Sequence, residues 1–236
     1  MECWRRRQLA SLSDMASEEA FLGELVSIAA DLGFEYCAYT MRSPLPMAAP
    51  RLAGLNNYPR QWQRVYAERN YGAIDPTLAR GAVSVLPFVW TEALFEHTLA
   101  LRSDMRAHGL EMGWSQSCYD GKGSGGLLTL ARSHGAVTDA ELRAKTHRMS
   151  WLAQVTHETL SERMLARLSP ESSVCLTTRE IDVLRWTADG RTSSEVSEIL
   201  AISERTVNFH INNTLAKLNA LNKTAAVVKA ARLGLL

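Results

Sequence analysis

The spacing of apolar positions changes character near residue 168. Before that point helical runs alternate with short apolar, aromatic blocks; after it every run has helical spacing. Ser17 opens a pattern through Phe21, Leu22, Leu25, Ile28, Ala29 and Leu32 that stops at Gly33, which predicts a first helix. Residues 34–41 read as a strand, and the three prolines within 43–50 require a loop or an extended cover. Pro59 suits a first helical position, with helix continuing over 61–68, and Asp75-Pro76 begins a short helix ending near Gly81. Residues 83–90 resemble a strand that Pro87 confines to a sheet edge, and 94–107 look helical up to Gly109. A hairpin follows, with strands at 114–119 and 127–131 around a glycine-rich turn. Thr138 and Glu141 then form a capping box that opens a long helix towards Arg167.

The remainder is all helix. Thr177 with Glu180 and Thr192 with Glu195 are two further capping boxes. The first starts a helix with Ile181, Leu184 and Trp186 that Gly190 closes. The second starts one with Val196, Ile199 and Leu200. Ala201-Ile202 makes a tight turn, and Ser203 caps a helix whose stripe is Val207, Ile211, Leu215 and Leu218. Asn222 opens a last helix through Val227, Val228 and Ala231, a face that serves either as core or as a dimer seam. The organisation expected is a mixed domain over 1–168, a linker over 169–175 and a four-helix helix-turn-helix domain over 176–236.

Composition adds little to this and excludes some classes. At 236 residues, 46% hydrophobic and 22% charged, the chain is that of a folded protein with room for two domains. Net charge is +1, but its distribution is uneven. Three arginines face seven acids between residues 171 and 204, whereas residues 205–236 hold five basic residues and no acid. Four scattered cysteines suit a reducing cytoplasm rather than a disulfide framework or zinc site. Neither a secretory signal nor a membrane span is legible, so the expected location is cytoplasmic.

The capped helix after the turn has the chemistry of a groove reader. Asn208 and Asn212, four apart, project from one face. An asparagine amide matches the N6 and N7 edge of adenine. Arg205, Lys217 and Thr192 are placed to meet phosphates, Thr206 is expected among the DNA-binding residues, and His210 is ambiguous. The residues Leu176-Thr-Thr-Arg-Glu180, Trp186, Gly190-Arg-Thr192, Glu195, Ile202-Ser-Glu-Arg-Thr-Val207, His210, Lys217-Leu218 and Asn222-Lys223 together resemble the LuxR-type DNA-binding domain. That resemblance implies a homodimer on a palindromic double-stranded operator, with RNA polymerase as a further partner.

The first domain lacks the early acidic pair of a phospho-receiver. Its Tyr58, Trp62, Tyr66, Asp75-Pro76, Trp90, Gly113 and Thr129, with Pro44-Leu-Pro46 and Asn57-Tyr-Pro59, are instead similar to the autoinducer-binding domain of quorum-sensing LuxR receptors. This implies an α+β fold, an α-β-α sandwich with a mainly antiparallel sheet, and an N-acyl-homoserine lactone as signal ligand without any cofactor or metal. In the family pattern Trp62 bonds the lactone carbonyl, Tyr58 the amide carbonyl and Asp75 the amide N–H. Thr129 adds a hydroxyl near the amide or a 3-oxo group. Such a head group needs two donors and one acceptor, which these side chains supply. Tyr58, Trp62 and Tyr66 at four-residue steps predict one aromatic helix face, and Trp90, Phe95, Leu101, Met105 and Leu110 are expected to enclose ring and chain. Read from the residues alone, Asp75 is equally an N-cap. The chain departs from the family pattern at Ala38, where a serine is frequent, and at Arg102, where an apolar wall is common.

Two motifs are decoys. Gly121-Lys-Gly-Ser-Gly-Gly126 has the letters of a dinucleotide fingerprint but sits between strands. His157-Glu158 begins a zinc-protease motif, yet Ser161 stands at the second ligand position. No catalytic constellation is present, and the chain is not expected to be an enzyme.

Overall fold

A computed structural model of the chain describes residues 17–48, 50–120, 124–168 and 174–236. In chain order its elements are α1 (Glu18–Asp31), β1 (Tyr36–Arg42), β2 (Leu52–Asn56), α2 (Arg60–Glu68), α3 (Pro76–Gly81), β3 (Phe88–Val89), α4 (Leu99–Ala107), β4 (Met112–Tyr119), β5 (Gly125–Arg132), α5 (Asp139–Leu168), α6 (Thr178–Ala188), α7 (Ser193–Leu200), α8 (Glu204–Lys217) and α9 (Lys223–Arg232). Two compact units result. One holds the residues through Arg42, Leu52–Asp120 and Gly125–Met164; the other holds Leu165–Leu236 with Ser43–Arg51.

The first unit is built on a five-stranded sheet of order β2-β1-β5-β4-β3, antiparallel throughout. Alternation gives each face its own set of residues. One face presents Tyr39, Met41, Leu128, Leu130 and Trp114, all essentially buried, and α1 and α5 belong to that side. There the Tyr39 hydroxyl meets His157 Nδ1 at 2.6 Å, so the histidine is a core residue. The other face presents the cross-strand rows Asn56–Ala38–Thr129–Ser115 and Gly54–Thr40–Leu127–Ser117. Small and polar side chains dominate those rows, so the helices on this side cannot close down on the sheet. Trp62, Tyr71, Trp90, Phe95, Leu101, Met105 and Leu110 pack as the cluster over it. The result is the α-β-α layering expected.

Several boundaries differ from the expectation for physical reasons. Residues 94–107 are not one helix: a 3-10 turn over Glu92–Phe95, capped by Thr91, is followed by a break before α4. Pro59 is the N-cap of α2 rather than its first residue. The strand expected over 83–90 is only Phe88–Val89, at the sheet edge as Pro87 requires. Thr138 accepts from the Glu141 amide, but the Glu141 carboxylate turns to Arg132 at 2.7 Å and Lys145 at 2.7 Å instead of completing a capping box. These two cations hold its carboxyl down at about 2. Strand β2 has no counterpart in the sequence reading. The glycine-rich turn at 121–123 and the linker at 169–173 lie outside the described residues.

In the second unit both capping boxes are complete, at Thr177 with Glu180 and at Thr192 with Glu195. Ser203 and Asn222 cap α8 and α9. The turn between α7 and α8 is made by Ala201 in the left-handed region, φ 50°. Val183, Val196, Val207 and Ile211 form one core cluster, while Leu184, Leu218, Ala226, Ala230 and Leu233 belong to a second. Ile199, expected inside, is 45% exposed. On α9, Val227 joins the core, whereas Val228 and Ala231 face outward.

Candidate functional site

Between the small-residue face of the sheet and the helices above it lies a cavity of about 290 Å3. Tyr58, Trp62, Tyr66, Asp75, Trp90, Met105, Leu110 and Thr129 line it, as the sequence suggested. Phe95 and Leu101 do not. Both are fully buried one layer back, Phe95 edge-on to Trp90 with ring centroids 6.1 Å apart. Their periodicity marked them as apolar and inward, which is also true of residues behind a wall. Nor do the three aromatics share a helix face. Tyr58 precedes α2 and tilts against Tyr36, while Trp62 and Tyr66 meet at 5.5 Å and both approach Tyr71 at 6.0 Å.

The sequence reading missed one wall. Ala38, Thr40, Leu52, Ala53, Gly54, Asn56 and Leu127 come from β1, β2 and β5, with Gln63, Thr77 and Leu78 from the helical side. Ala38, Thr40, Leu127 and Thr129 fall at period two on paired strands, a signal the sequence does carry. Leu52–Asn56 has no alternation to read.

Asp75 is the N-cap its sequence allowed, and it also lines the cavity. Oδ1 accepts from the Thr77 amide at 2.8 Å and from the Thr77 hydroxyl at 2.7 Å, capping α3. Oδ2 accepts from the Tyr66 hydroxyl at 2.8 Å, and a carboxylate oxygen has a second lone pair to offer. Burial raises the Asp75 pKa; the hydrogen bonds from Thr77 and Tyr66 oppose that without cancelling it. Burial and the nearby Asp75 carboxylate raise Tyr58 and Tyr66 in turn, so both phenols stay protonated and can donate. The Tyr58 hydroxyl and Trp62 Nε1 have no partner among the described residues. The cavity therefore offers two open donors and one open acceptor.

A relay stands beside them. Trp90 Nε1 donates to Ser115 Oγ at 3.1 Å, and Ser115 Oγ lies 3.0 Å from Thr129 Oγ1. Trp90 can reach the strand only because Gly113 lies beneath it: a Cβ there would come within 2.3 Å of the indole. Arg102 is absent from the cavity wall. It is 2% exposed, bonds Glu92 Oε1 at 3.0 Å and stacks over Phe95 at 5.0 Å, bracing α4 from behind. Among the described residues no group of His, Cys, Asp or Glu could hold a metal.

On α8, Arg205, Asn208, Phe209 and Asn212 share a shallow outward concavity with Glu204. Asn208 Oδ1 accepts from Ser193 Oγ at 2.9 Å, and Lys223 Nζ donates to that same oxygen of Ser193 at 2.8 Å. Two expected phosphate contacts are otherwise engaged. The Thr192 hydroxyl donates to Glu195 within its capping box. Lys217 has its Nζ 2.7 Å from Oε2 of Glu180, a side chain only 4% exposed. The Thr206 hydroxyl lies 2.8 Å from that of Ser203. Phe209, which the sequence reading passed over, is 59% exposed on this face.

Comparison with known proteins identifies both domains. Residues 17–160 match the family described as autoinducer binding domain, and residues 174–230 match that described as bacterial regulatory proteins, luxR family. The chain is 40% identical to the transcriptional activator protein AnoR of Acinetobacter nosocomialis, over the whole of both chains. The crystal structure of Escherichia coli SdiA superposes with a TM-score of 0.86 at 33% identity, covering 99% of this chain and 98% of that one. CepR2 of Burkholderia cenocepacia, described as an N-acylhomoserine lactone dependent LuxR family transcription factor, gives a TM-score of 0.64 at 30% identity over 70% of this chain and 97% of its own. These are regulators of transcription rather than enzymes, and no described helix is long and apolar enough to cross a membrane. The chain belongs to the LuxR family of quorum-sensing transcriptional regulators, with an autoinducer-binding domain followed by a helix-turn-helix DNA-binding domain.

Proposed function

We propose that this regulator binds an N-acyl-homoserine lactone in the cavity of its first unit and, as a homodimer, reads a palindromic operator with α8. The carrying observation is the polar complement of the cavity. The lactone head has two carbonyl acceptors and one amide donor; Trp62 Nε1, the Tyr58 hydroxyl and Asp75 Oδ2 are two open donors and one open acceptor in one cavity. Trp62 is assigned the lactone carbonyl, Tyr58 the amide carbonyl, Asp75 the amide N–H, and Thr129 a further oxygen of the amide or acyl chain. The apolar wall of Trp90, Met105, Leu110 and Leu127 takes the chain. The description of CepR2 as lactone dependent supports the same ligand class.

For the second unit, Arg205, Asn208 and Asn212 are assigned to the major groove, and the outward Val228 and Ala231 of α9 to the dimer seam. Two copies would then meet half-sites about 34 Å apart. A cytoplasmic location and a contact with RNA polymerase follow from this role. The test is thermal unfolding of the full chain with lactones from N-butanoyl to N-dodecanoyl. A ligand that binds only the folded state raises the melting temperature with concentration. No rise across the series would overturn the ligand assignment, and a monomer on an enriched operator would overturn the dimer.

A further inference from the structure

The outward face of α8 carries one residue that neither core nor cap explains. Val207 and Ile211 are buried with Leu215 beside them, so positions 205, 208, 209 and 212 fall together on the opposite side of the helix. Three of these are polar. The fourth is Phe209, the one large hydrophobic residue of α8 left exposed, at 59%. Its ring stands edge-on to His210, centroids 5.6 Å apart, on the rim of the concavity formed with Arg205, Asn208 and Asn212.

The neighbouring Asn208 is tied to Ser193 of α7. Lys223 can only donate, so Ser193 Oγ accepts from it and passes its own hydrogen to Asn208 Oδ1. With Oδ1 engaged, the amide Nδ2 of Asn208 is left as a donor in the concavity that the Phe209 ring shares. In the major groove, thymine presents an acceptor, O4, next to its 5-methyl group, the only apolar group on any base edge there.

We propose that Phe209 is a specificity-determining residue that packs on the 5-methyl group of a thymine. This rests on the proposed operator reading by α8 and adds the base feature that is read. The sequence reading matched asparagine to adenine; the Ser193 bond and the exposed ring point to thymine at this position instead.

The experiment starts from random duplex DNA, enriched on the full chain with N-butanoyl-, N-octanoyl- and N-dodecanoyl-homoserine lactone all present. The enriched duplex is then resynthesised with deoxyuridine replacing each thymine singly, which removes only the methyl group. At one thymine or its symmetry mate the wild type should bind roughly fourfold more weakly, the equivalent of one buried methyl. Phe209→Ala should bind the thymine and uracil duplexes alike while melting as the wild type does, and Phe209→Leu should retain part of the difference. Equal binding of every uracil duplex by the wild type overturns the contact, as does full discrimination by Phe209→Ala. If no sequence is enriched, operator reading itself fails and the contact falls with it.

Discussion

The Tyr66 hydroxyl donates to Asp75 Oδ2 at 2.8 Å, while Thr77 fills Oδ1 twice. Three donors thus fix the carboxylate and leave a second lone pair on Oδ2. Tyr66→Phe keeps the aromatic wall but frees the carboxylate to turn. The expected result is lactone affinity weakened by about 1–2 kcal/mol, roughly five- to thirtyfold, by isothermal calorimetry. Asp75→Ala should remove the ligand-induced rise in melting temperature altogether; a rise of wild-type size would take Asp75 out of the site.

The raised pKa of Asp75 gives ligand binding a pH dependence with a definite sign. The buried carboxyl contributes stability in its neutral form, present below its ordinary pKa and lost as pH rises through the raised value. An amide N–H favours the ionised form, so lactone offsets that loss. The melting-temperature difference with and without lactone should therefore grow from pH 4 towards pH 7. Taking the difference cancels Glu141, which stabilises above its ordinary pKa of 4.5 and loses that contribution only as pH falls towards about 2. A pH-independent difference, or one unchanged in slope by Asp75→Asn, would count against the assignment.

Lys217 is expected to act on stability rather than on phosphate contact. Burial raises the Glu180 pKa, but the Lys217 hydrogen bond and the Thr177 cap outweigh that and leave it below the ordinary value. Lys217→Ala strands a buried carboxylate, at a cost of about 2–4 kcal/mol to unfolding of the second unit in urea. Under conditions where the variant stays folded, the salt dependence of DNA binding should match the wild type. A shallower salt slope with unchanged stability would restore Lys217 to the phosphate contacts.

Gly113→Ala should be disruptive beyond its size. Its Cβ would fall within 2.3 Å of Trp90, whose ring is held by Ser115 on one side and Phe95 on another. The ring must shift into the cavity, and overpacking of this kind costs about 1–3 kcal/mol. Denaturant unfolding and the lactone thermal shift should fall together; loss of neither would mean the indole has another place to go.

What could be read from the chain and what could not have separate physical causes. Caps are local: Thr177, Thr192, Ser203 and Asn222 each bond an amide three residues on, so four residues of sequence contain the whole interaction. The helices of the second unit were legible for that reason. The polar residues of the cavity were recognisable by type, but their arrangement depends on strand register, which no local pattern states. Ala38 lies between Asn56 and Thr129 because of two pairings far apart in sequence. Arg102 and Lys217 share one such limit: each meets a carboxylate that only the fold brings near.

The two sheet rows beneath the cavity are notable for what they lack. Ala38 and Gly54 supply a single methyl group between them where longer side chains would reach the helices. Ligand selectivity on such a surface is editable by addition. On the proposed reading, larger residues at Ala38 would narrow the space for an acyl tail beside Thr129, whereas Gly54 resists the same change because a Cβ there meets the Tyr39 carbonyl oxygen at 2.6 Å. Under that proposal the receptor's range of signals is poised on one permissive position beside one fixed one.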